Sequence, residues 1–344
     1  MPEKSATISE KYFDYFEGFI SFLIDPNDRL FIVYLLSSLA IVYFLYRKSK
    51  SDEGLLSFIF PKSVWNHPSA WLDVRYFFFH GMIGKFIVHI LTAGAFIIGV
   101  SLTVNLETLD NLIEPSNFTL IYRSAMAITA FIIMALISDF VAFYLHYLQH
   151  KIPLLWQFHK IHHSSEVMHP LSNFREHPVD NLTYDFIIQF VNGIASGLIL
   201  NILGFSPDAI QIFGLGILAL LFNLIGYQLR HSHIWLRWPG IWSKVFPSPA
   251  HHQIHHSRHP DHLDKNFAFQ FPIWDVLFNT YEMPEDNRDV EFGIVEDSSE
   301  LNSCLNLYFI PFRDAYRLFK NEKKTEPSLI LPAVTHPEKS GLNP

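Results

Sequence analysis

Three clusters of histidines are the residues in this sequence whose types and spacing point most directly to chemistry. They contain eight histidines, arranged as His146-x3-His150, His159-x2-His162-His163 and His252-x2-His255-His256. On a helix, residues three or four apart lie on one face, so each cluster presents its imidazoles together. Imidazoles at this spacing bind metal ions in proteins. The three clusters together predict a metal site, whereas one pair alone would be a weak signal.

The predicted metal must be held by nitrogen and oxygen ligands. Cys304 is the single cysteine of the chain, so the sequence offers neither a thiolate cluster nor an internal disulfide. Imidazole binds zinc, copper, iron and nickel alike, and ligand softness leaves the metal open. Eight or more histidines exceed the roughly four ligands of a structural zinc site but fit two neighbouring metals with open positions. Redox chemistry at such a pair favours iron.

The composition predicts a membrane protein. Hydrophobic residues make up 49% of the 344-residue chain, only 17% are charged, and the mean hydropathy is positive. Soluble domains carry more charge, typically about 25%. The net charge is -8 and the basic residues are scattered. This pattern lacks the basic footprint of a nucleic-acid-binding protein, and we expect no nucleic-acid partner.

Five apolar runs have roughly the 17–25 residues that a helix needs to cross or enter a bilayer. They are Leu30–Tyr46, Phe86–Val104, Ala125–Leu145, Phe186–Leu203 and Ala209–Leu229. Residues 204–208, Gly-Phe-Ser-Pro-Asp, form a turn signal between the last two runs, which are predicted to form a hairpin that spans the membrane or dips into it. No alternating strand pattern stands out. The predicted fold class is all-α, a polytopic bundle of membrane helices.

Basic residues beside these runs predict the orientation in the membrane. Arg47, Lys48 and Lys50 follow the first run, whereas residues 105–118, after the second run, contain no Lys or Arg. Because cytoplasmic loops carry the excess of Lys and Arg, the third run ends in the cytoplasm, and the hairpin leaves from that side and returns to it. All three histidine clusters are therefore predicted on the cytoplasmic side, in a helical cap that holds a dinuclear metal site.

The order and spacing of the clusters resemble the sterol desaturase/fatty acid hydroxylase superfamily. Eight residues separate the first two clusters, whereas acyl-CoA desaturases have a much longer separation. Further similar stretches are His159-Lys-Ile-His-His-Ser-Ser-Glu166, Arg175-Glu-His-Pro178, Asp264-Lys-Asn-Phe267 and Ile273-Trp-Asp-Val-Leu-Phe278. The resemblance covers Asp139–Tyr281, and the first 120 residues share only the character of membrane helices.

This resemblance implies a membrane-bound non-haem enzyme with two iron ions, which uses O2 to hydroxylate or desaturate a lipid. The lipid is a sterol, a fatty acyl chain, an ether lipid or a carotenoid. The resemblance also implies a ninth ligand, His231, because family members carry a histidine just after the fourth and fifth apolar segments. His233 stands where the family often has asparagine, so it is a supporting residue or an alternative ligand. The sequence contains no Gly-x-Gly-x-x-Gly fingerprint and no evident haem domain, so a separate protein is expected to donate the electrons.

Four further residues are candidates to support the ligands: Asp139, His177, His233 and His251. Asp139 lies two helical turns before His146 on an apolar helix, where an ionisable side chain is more often functional. It is predicted to orient a ligand imidazole, with a purely structural polar contact as the alternative. His177 is predicted either to approach the site or to cap a loop. His80 and His89 lie far from the clusters and are predicted to be buried or interfacial histidines with satisfied hydrogen bonds.

The predicted organisation has three parts. Residues 1–120 form N-terminal membrane helices, residues 121–285 the catalytic domain, and residues 286–344 a polar C-terminal tail. The alternative function is a membrane divalent-metal transporter or sensor. A permeation path would place ligands near the midplane of several spans, whereas these histidines lie at helix ends and in loops. A membrane b-type cytochrome would need paired axial histidines within the bilayer, which His89 alone does not supply.

Overall fold

The computed structural model describes residues 8–26, 28–104, 119–203, 220–285 and 290–320. Within these ranges the secondary structure is helical, apart from an isolated bridge between Ser257 and Phe292. The helices are α1 (Ile8–Ile20), α2 (Ile32–Ser49), α3 (Leu55–Ile59), α4 (Lys62–Trp65), α5 (Pro68–Phe79), α6 (Lys85–Thr92), α7 (Ala95–Ser101), α8 (Leu120–Lys151), α9 (Pro153–His163), α10 (Pro178–Leu203), α11 (Trp242–Val245), α12 (Pro249–His255), α13 (Ile273–Phe278) and α14 (Cys304–Phe319). A π-helical turn, His80–Gly84, joins α5 to α6, and short 3-10 turns cover Pro170–Phe174, Tyr227–His231 and Pro260–His262.

The described residues contain four helical segments that are long and apolar enough to cross a membrane. They are Ile32–Ser49, Pro68–Ser101, Ser124–Lys151 and Pro178–Ile202, and they overlap the first four predicted runs. The turn of the predicted hairpin and the first half of its second arm, residues 204–219, lie outside the described residues. The predicted fold class, an all-α polytopic bundle, is confirmed. The chain is an integral membrane protein.

The second membrane segment begins at Pro68 and not at Phe86 as predicted. Its first half carries Asp73, whose charge interrupts the apolar pattern. The structure neutralises this charge: the buried carboxylate of Asp73 accepts hydrogen bonds from Arg175 Nε at 2.5 Å and from His169 Nε2 at 3.0 Å. A buried charge is tolerated when it is paired and fully hydrogen-bonded. Arg175 is 102 positions away in the sequence, so hydropathy alone does not reveal this pairing.

Two glycines allow α7 and α10 to approach each other closely. A Cβ atom added to Gly193 would lie 2.2 Å from the carbonyl oxygen of Phe96, and one added to Gly99 would lie 2.2 Å from that of Phe190. Small residues at such crossings let helix backbones pack directly, which is how membrane helices gain contact energy. The crossing fixes α10, whose first turn reaches the metal centre described below.

We expect the substitution Gly193→Val to destabilise this crossing. The added atoms would overlap the backbone of α7, and overpacking of this kind typically costs about 1–3 kcal/mol or more. A lower thermal unfolding midpoint of the purified protein in detergent would measure the effect. Gly94→Ala is the matched control, because the nearest atom to its added Cβ is 3.9 Å away. Equal midpoints for the two variants would mean that α7 and α10 do not meet at these glycines.

Helix α14 lies in the segment that was predicted to be a polar tail, residues 286–344. It packs on α9, where Leu307 shares a hydrophobic cluster with Ile161. Beside this cluster, Lys160 Nζ binds Asp314 Oδ2 at 2.8 Å, and both side chains are buried. The segment therefore contributes a packed helix that covers α9, the helix that carries the second histidine cluster.

Candidate metal centre

All nine histidines that were predicted as ligands come together in the structure. They form two groups, and within each group one ring nitrogen from every histidine lies within 4.8 Å of the others. The first group is His146, His150, His159, His163 and His255, and the second is His162, His231, His252 and His256. Each group combines histidines from separate clusters of the sequence. This arrangement fits one metal ion per group.

The first two clusters meet because α8 and α9 are joined by a tight turn. Helix α8 ends at Lys151, and α9 begins at Pro153. Proline suits this first helical position because it has no N–H to lose and its φ is already helical. The turn places the ring centre of His159 5.0 Å from that of His146 and 4.9 Å from that of His150. Residues from two consecutive helices thus share one group.

The third cluster lies on α12, which begins at Pro249 with a capping box. The Ser248 side chain accepts from the backbone of the first turn, and the ring of His251 accepts from Ser248 N at 3.0 Å. The other ring nitrogen of His251 lies 3.3 Å from the hydroxyl of Tyr281. His251 was predicted to neighbour the ligands, and instead it caps the helix that carries them.

Backbone carbonyls hold the outer nitrogens of two histidines. His146 Nδ1 donates to the carbonyl oxygen of Phe267 at 2.9 Å, and His255 Nδ1 donates to that of Lys265 at 2.9 Å. Because a carbonyl oxygen can only accept, the proton of each neutral ring must lie on Nδ1. The Nε2 lone pairs then face the interior of the group, where they can bind a metal.

Asp180, in the first turn of α10, holds a third outer nitrogen. His159 Nδ1 donates to Asp180 Oδ2 at 2.9 Å, and Gln149 Nε2 donates to Asp180 Oδ1 at 2.6 Å. In the second group, His231 Nδ1 lies 2.9 Å from Ser172 Oγ. Partners of this kind fix the tautomer and orientation of ligand imidazoles and raise their basicity. Neither Asp180 nor Ser172 was predicted. Asp180 could have been found in the sequence, because an acidic residue so close to an apolar membrane run is a candidate for a functional role.

The inward nitrogens have no other use in the described structure. Nε2 of His159 and Nε2 of His255 are buried, and neither has a hydrogen-bond partner among the described residues. An unsatisfied buried polar atom costs roughly 1–3 kcal/mol. Nε2 of His150 and Nε2 of His163 face each other at 3.1 Å. Metal ions would satisfy these lone pairs, so the residues present fit a pair of nitrogen-ligated ions.

Burial keeps the histidines outside the membrane segments neutral. It lowers the pKa of His159 to about 3 and that of His162 to about 4. Burial, reinforced by neighbouring histidines, also holds the pKa of His163 and of His256 well below the ordinary value. Metals bind the neutral form of imidazole. At neutral pH these rings therefore need to lose no proton before they bind.

Asp139 has a different role from the predicted one. Its carboxylate accepts hydrogen bonds from Gln270 N, Phe271 N and Trp274 Nε1 at 2.9, 3.1 and 2.9 Å, rather than from a ligand imidazole. These bonds fix the loop that begins at Phe267, whose carbonyl holds His146. Asp139 thus acts on the centre through this loop, one step further out than expected.

Two other predicted supporting residues lie away from the centre. The ring of His177 accepts from Val179 N at 3.1 Å and donates to the carbonyl oxygen of Tyr308 at 3.0 Å, so both nitrogens serve the start of α10 and its contact with α14. His233 is exposed and bonds to the carbonyl oxygen of Phe58 at 2.8 Å. Of the two alternatives, His231 and His233, the structure brings only His231 into a group. His80 is a buried histidine bonded on both nitrogens, as predicted.

A cavity of about 290 Å³ reaches both groups from between α8 and α10. The histidines that line it are His146, His159, His162 and His252. Its lining also contains polar residues, among them Arg29, Glu176, Asn181, Tyr184 and Asp185. The Arg29 guanidinium lies 3.2 Å from Glu176 Oε1, and Asn181 Nδ2 donates to Glu176 Oε2 at 2.9 Å. The cavity therefore joins the histidines to a partly exposed ion pair, in which the Arg29 side chain is 39% exposed and that of Glu176 14%.

The carboxylate of Glu176 stays ionised in this setting. Burial opposes the charge, but the positive charges of Arg29 and Lys85 outweigh burial and hold the pKa of Glu176 below its usual range. A fixed charge pair beside a cavity recognises polar groups and disfavours a purely apolar occupant.

Fold and site together define an integral membrane protein with a histidine-rich centre at the ends of its membrane helices. Residues 131–280 match the family model of the fatty acid hydroxylases, and this stretch contains all nine histidines of the two groups. The predicted resemblance to the sterol desaturase/fatty acid hydroxylase superfamily is confirmed for this domain.

Several curated proteins are similar to this chain. The alkylglycerol monooxygenase of Caenorhabditis elegans is 27% identical over 212 residues, which are 60% of this chain and 37% of that protein. The human alkylglycerol monooxygenase is 28% identical over 156 residues, 45% of this chain and 31% of its own. The ornithine lipid hydroxylase of Rhizobium tropici is 28% identical over 159 residues, 46% of this chain and 43% of its own. The matches span less than half the length of these relatives, and no solved structure matches.

Proposed function

We propose that this protein is an O2-dependent, non-haem di-iron hydroxylase of a membrane lipid. The observation that carries the proposal is the pair of histidine groups whose inward nitrogens are unpaired or face only one another. Carbonyls and a carboxylate hold the outer nitrogens of His146, His159 and His255. The relatives named as monooxygenases and hydroxylases support the reaction type.

The two groups would each hold one iron ion. When bound, the iron pair supplies the oxidising power that breaks an unactivated C–H bond with O2. The protein's part is to orient the ligand rings from outside, chiefly through Asp180 and the carbonyls of Phe267 and Lys265. The protein also buries the centre, since six of the seven ligand histidines outside the membrane segments are almost fully enclosed and His252 is half-buried. Enclosure excludes water that would compete with the lipid.

The polar lining of the cavity favours a lipid whose head group lies close to the centre. Arg29 and Glu176 offer a donor and an acceptor to a hydroxyl, amine or carboxylate. The acyl or alkyl chain can remain in the hydrocarbon between α8 and α10. We therefore propose that the oxidised carbon lies near the head group rather than at the far end of the chain. The relatives named for an alkylglycerol and for an ornithine lipid are consistent with a substrate of this kind.

Residues 121–285 form the catalytic unit, with the metal centre on the cytoplasmic side, where Arg47 and Lys48 follow the first span. A separate protein donates the two electrons that each turnover requires.

Comparative lipidomics tests this function in cells. Cells that contain the gene should accumulate a membrane lipid heavier by one oxygen than in cells without it, and growth under isotopically labelled O2 should place the label in that lipid. The product should disappear with the His162→Ala variant. A change confined to water-soluble metabolites, or a change in metal uptake with no oxidised lipid, would contradict the proposal; the latter would favour a transporter.

A further inference from the structure

The two histidine groups lie between two separate cavities. The first is the cavity described above. The second is a cleft of about 260 Å³. It is lined by the other four histidines of the three sequence clusters, His150, His163, His255 and His256. No histidine lines both cavities. The centre therefore has one side toward the proposed lipid cavity and another toward the cleft.

The cleft opens away from the membrane segments. Apart from His150, near the end of its span, the residues that line it lie outside the four candidate spans. Leu263 and Val295 on its wall are 46% and 52% exposed. The side chains of Asp264 and Arg258 are also open to solvent. A molecule in the aqueous phase can therefore enter the cleft without passing through the lipid cavity.

Trp156 lines the cleft beside two of these histidines. Its ring centre lies 5.1 Å from that of His150 and 5.5 Å from that of His163. Nε1 donates to Glu296 Oε1 at 3.1 Å, which holds the indole in place from the outer side. Trp156 is half-buried, so one part of its ring contacts two histidines while another part lines the cleft.

We propose that electrons enter the metal centre from this cleft through Trp156. This inference rests on the proposed di-iron function. Insertion of one oxygen atom of O2 into a C–H bond gives an alcohol and one water, and it consumes two electrons and two protons. The external donor, a one-electron redox protein, is oxidised as it gives up each electron, and each electron would reduce one ferric ion to ferrous. Electron tunnelling weakens steeply with distance and is helped by packed aromatic groups, so the contacts of Trp156 with His150 and His163 give it this role.

Flash photoreduction tests the route without knowledge of the natural donor. In a Cys304→Ala background, Val295→Cys places a thiol on the cleft wall for a ruthenium polypyridyl label, and a sacrificial reductant is present in solution. The rate of ferrous iron formation after the flash and the iron content per chain are measured. The comparison includes Trp156→Phe, Trp156→Leu and the control Trp242→Leu, whose exposed side chain lines neither cavity.

We expect Trp156→Leu to slow ferrous iron formation several-fold, because it removes the aromatic ring that contacts His150 and His163. Trp156→Phe should slow it less, Trp242→Leu should not slow it, and all variants should keep the same iron content. An unchanged rate in both Trp156 variants would overturn the relay while the di-iron function stands. Loss of iron in both Trp156 variants would assign Trp156 a structural role and also overturn it. Absence of any photoreducible iron in the labelled reference protein would overturn the proposed function and the relay together.

Discussion

Alanine at His159 should abolish turnover and reduce the metal content of the purified protein. The substitution removes one inward nitrogen from the five-histidine group and leaves Asp180 with an unpaired buried acceptor. Changes to partners outside the ligands typically cost about 10–100-fold in affinity or activity, so loss of a ligand should exceed 100-fold. The same result is expected for alanine at His162, which belongs to the other group. Metal analysis and turnover of the purified variants measure both effects.

The matched control is His89→Ala, because His89 is exposed and belongs to neither group. This variant should keep its metal content and most of its activity. His80 is a poorer control, because it is buried between Tyr308 and Asn181 and its loss would cost stability. Full activity in any two of the nine single-histidine variants would show that the ligand set is wrong.

Replacing Asp180 by asparagine should weaken metal binding by about 10–100-fold while the protein remains folded. The asparagine oxygen can still accept from His159 Nδ1, and its amide can donate to Gln149 if the Gln149 side chain turns over. The hydrogen bonds survive, but the negative charge that makes the His159 ring a stronger ligand is lost. Competition with a chelator measures the affinity, and circular dichroism checks the fold.

Asp185→Asn provides the matched comparison. Asp185 follows Asp180 by just over one turn of α10 and lines the same cavity. Unlike Asp180, it has no hydrogen bond to a ligand histidine among the described residues. Asp185→Asn should leave metal affinity unchanged. If Asp180→Asn also leaves metal affinity unchanged, Asp180 does not tune a ligand, and its bond to His159 is only structural.

The ligand clusters could be predicted from sequence because their geometry is local. A spacing of three or four residues fixes which imidazoles share a helix face, so His159, His162 and His163 are predictable as a unit. The pairing of the clusters into two groups is not local. His255 joins the group of His146, while its neighbour His256 joins the other group, and only tertiary packing decides this.

The supporting contacts were harder to predict. The acceptors for His146 and His255 are the backbone carbonyls of Phe267 and Lys265, and a carbonyl leaves no signature in residue type. Asp139 illustrates the same limit. Its place on an apolar helix indicated a role at the site, but the sequence could not show that its partners are the backbone of a loop 131 positions away.

The start of the second membrane span and the C-terminal helix were misjudged for a related reason. Hydropathy places the start of a span where charges end, so the prediction began the second span at Phe86. The charge of Asp73 is neutralised by Arg175 in the folded protein, and the helix extends back to Pro68. Helix α14 was overlooked because the surrounding segment is polar and because Pro311, a residue that usually interrupts helices, lies inside it.

The most direct test of the proposed function uses purified protein in lipid nanodiscs. The protein is loaded with iron, supplied with a chemical reductant and isotopically labelled O2, and analysed for iron and for lipid products. We expect about two iron ions per chain, one for each histidine group, and one labelled oxygen atom in a hydroxylated lipid. One tightly bound zinc ion per chain, with no labelled product after iron loading, would contradict the proposal that this is a di-iron lipid hydroxylase.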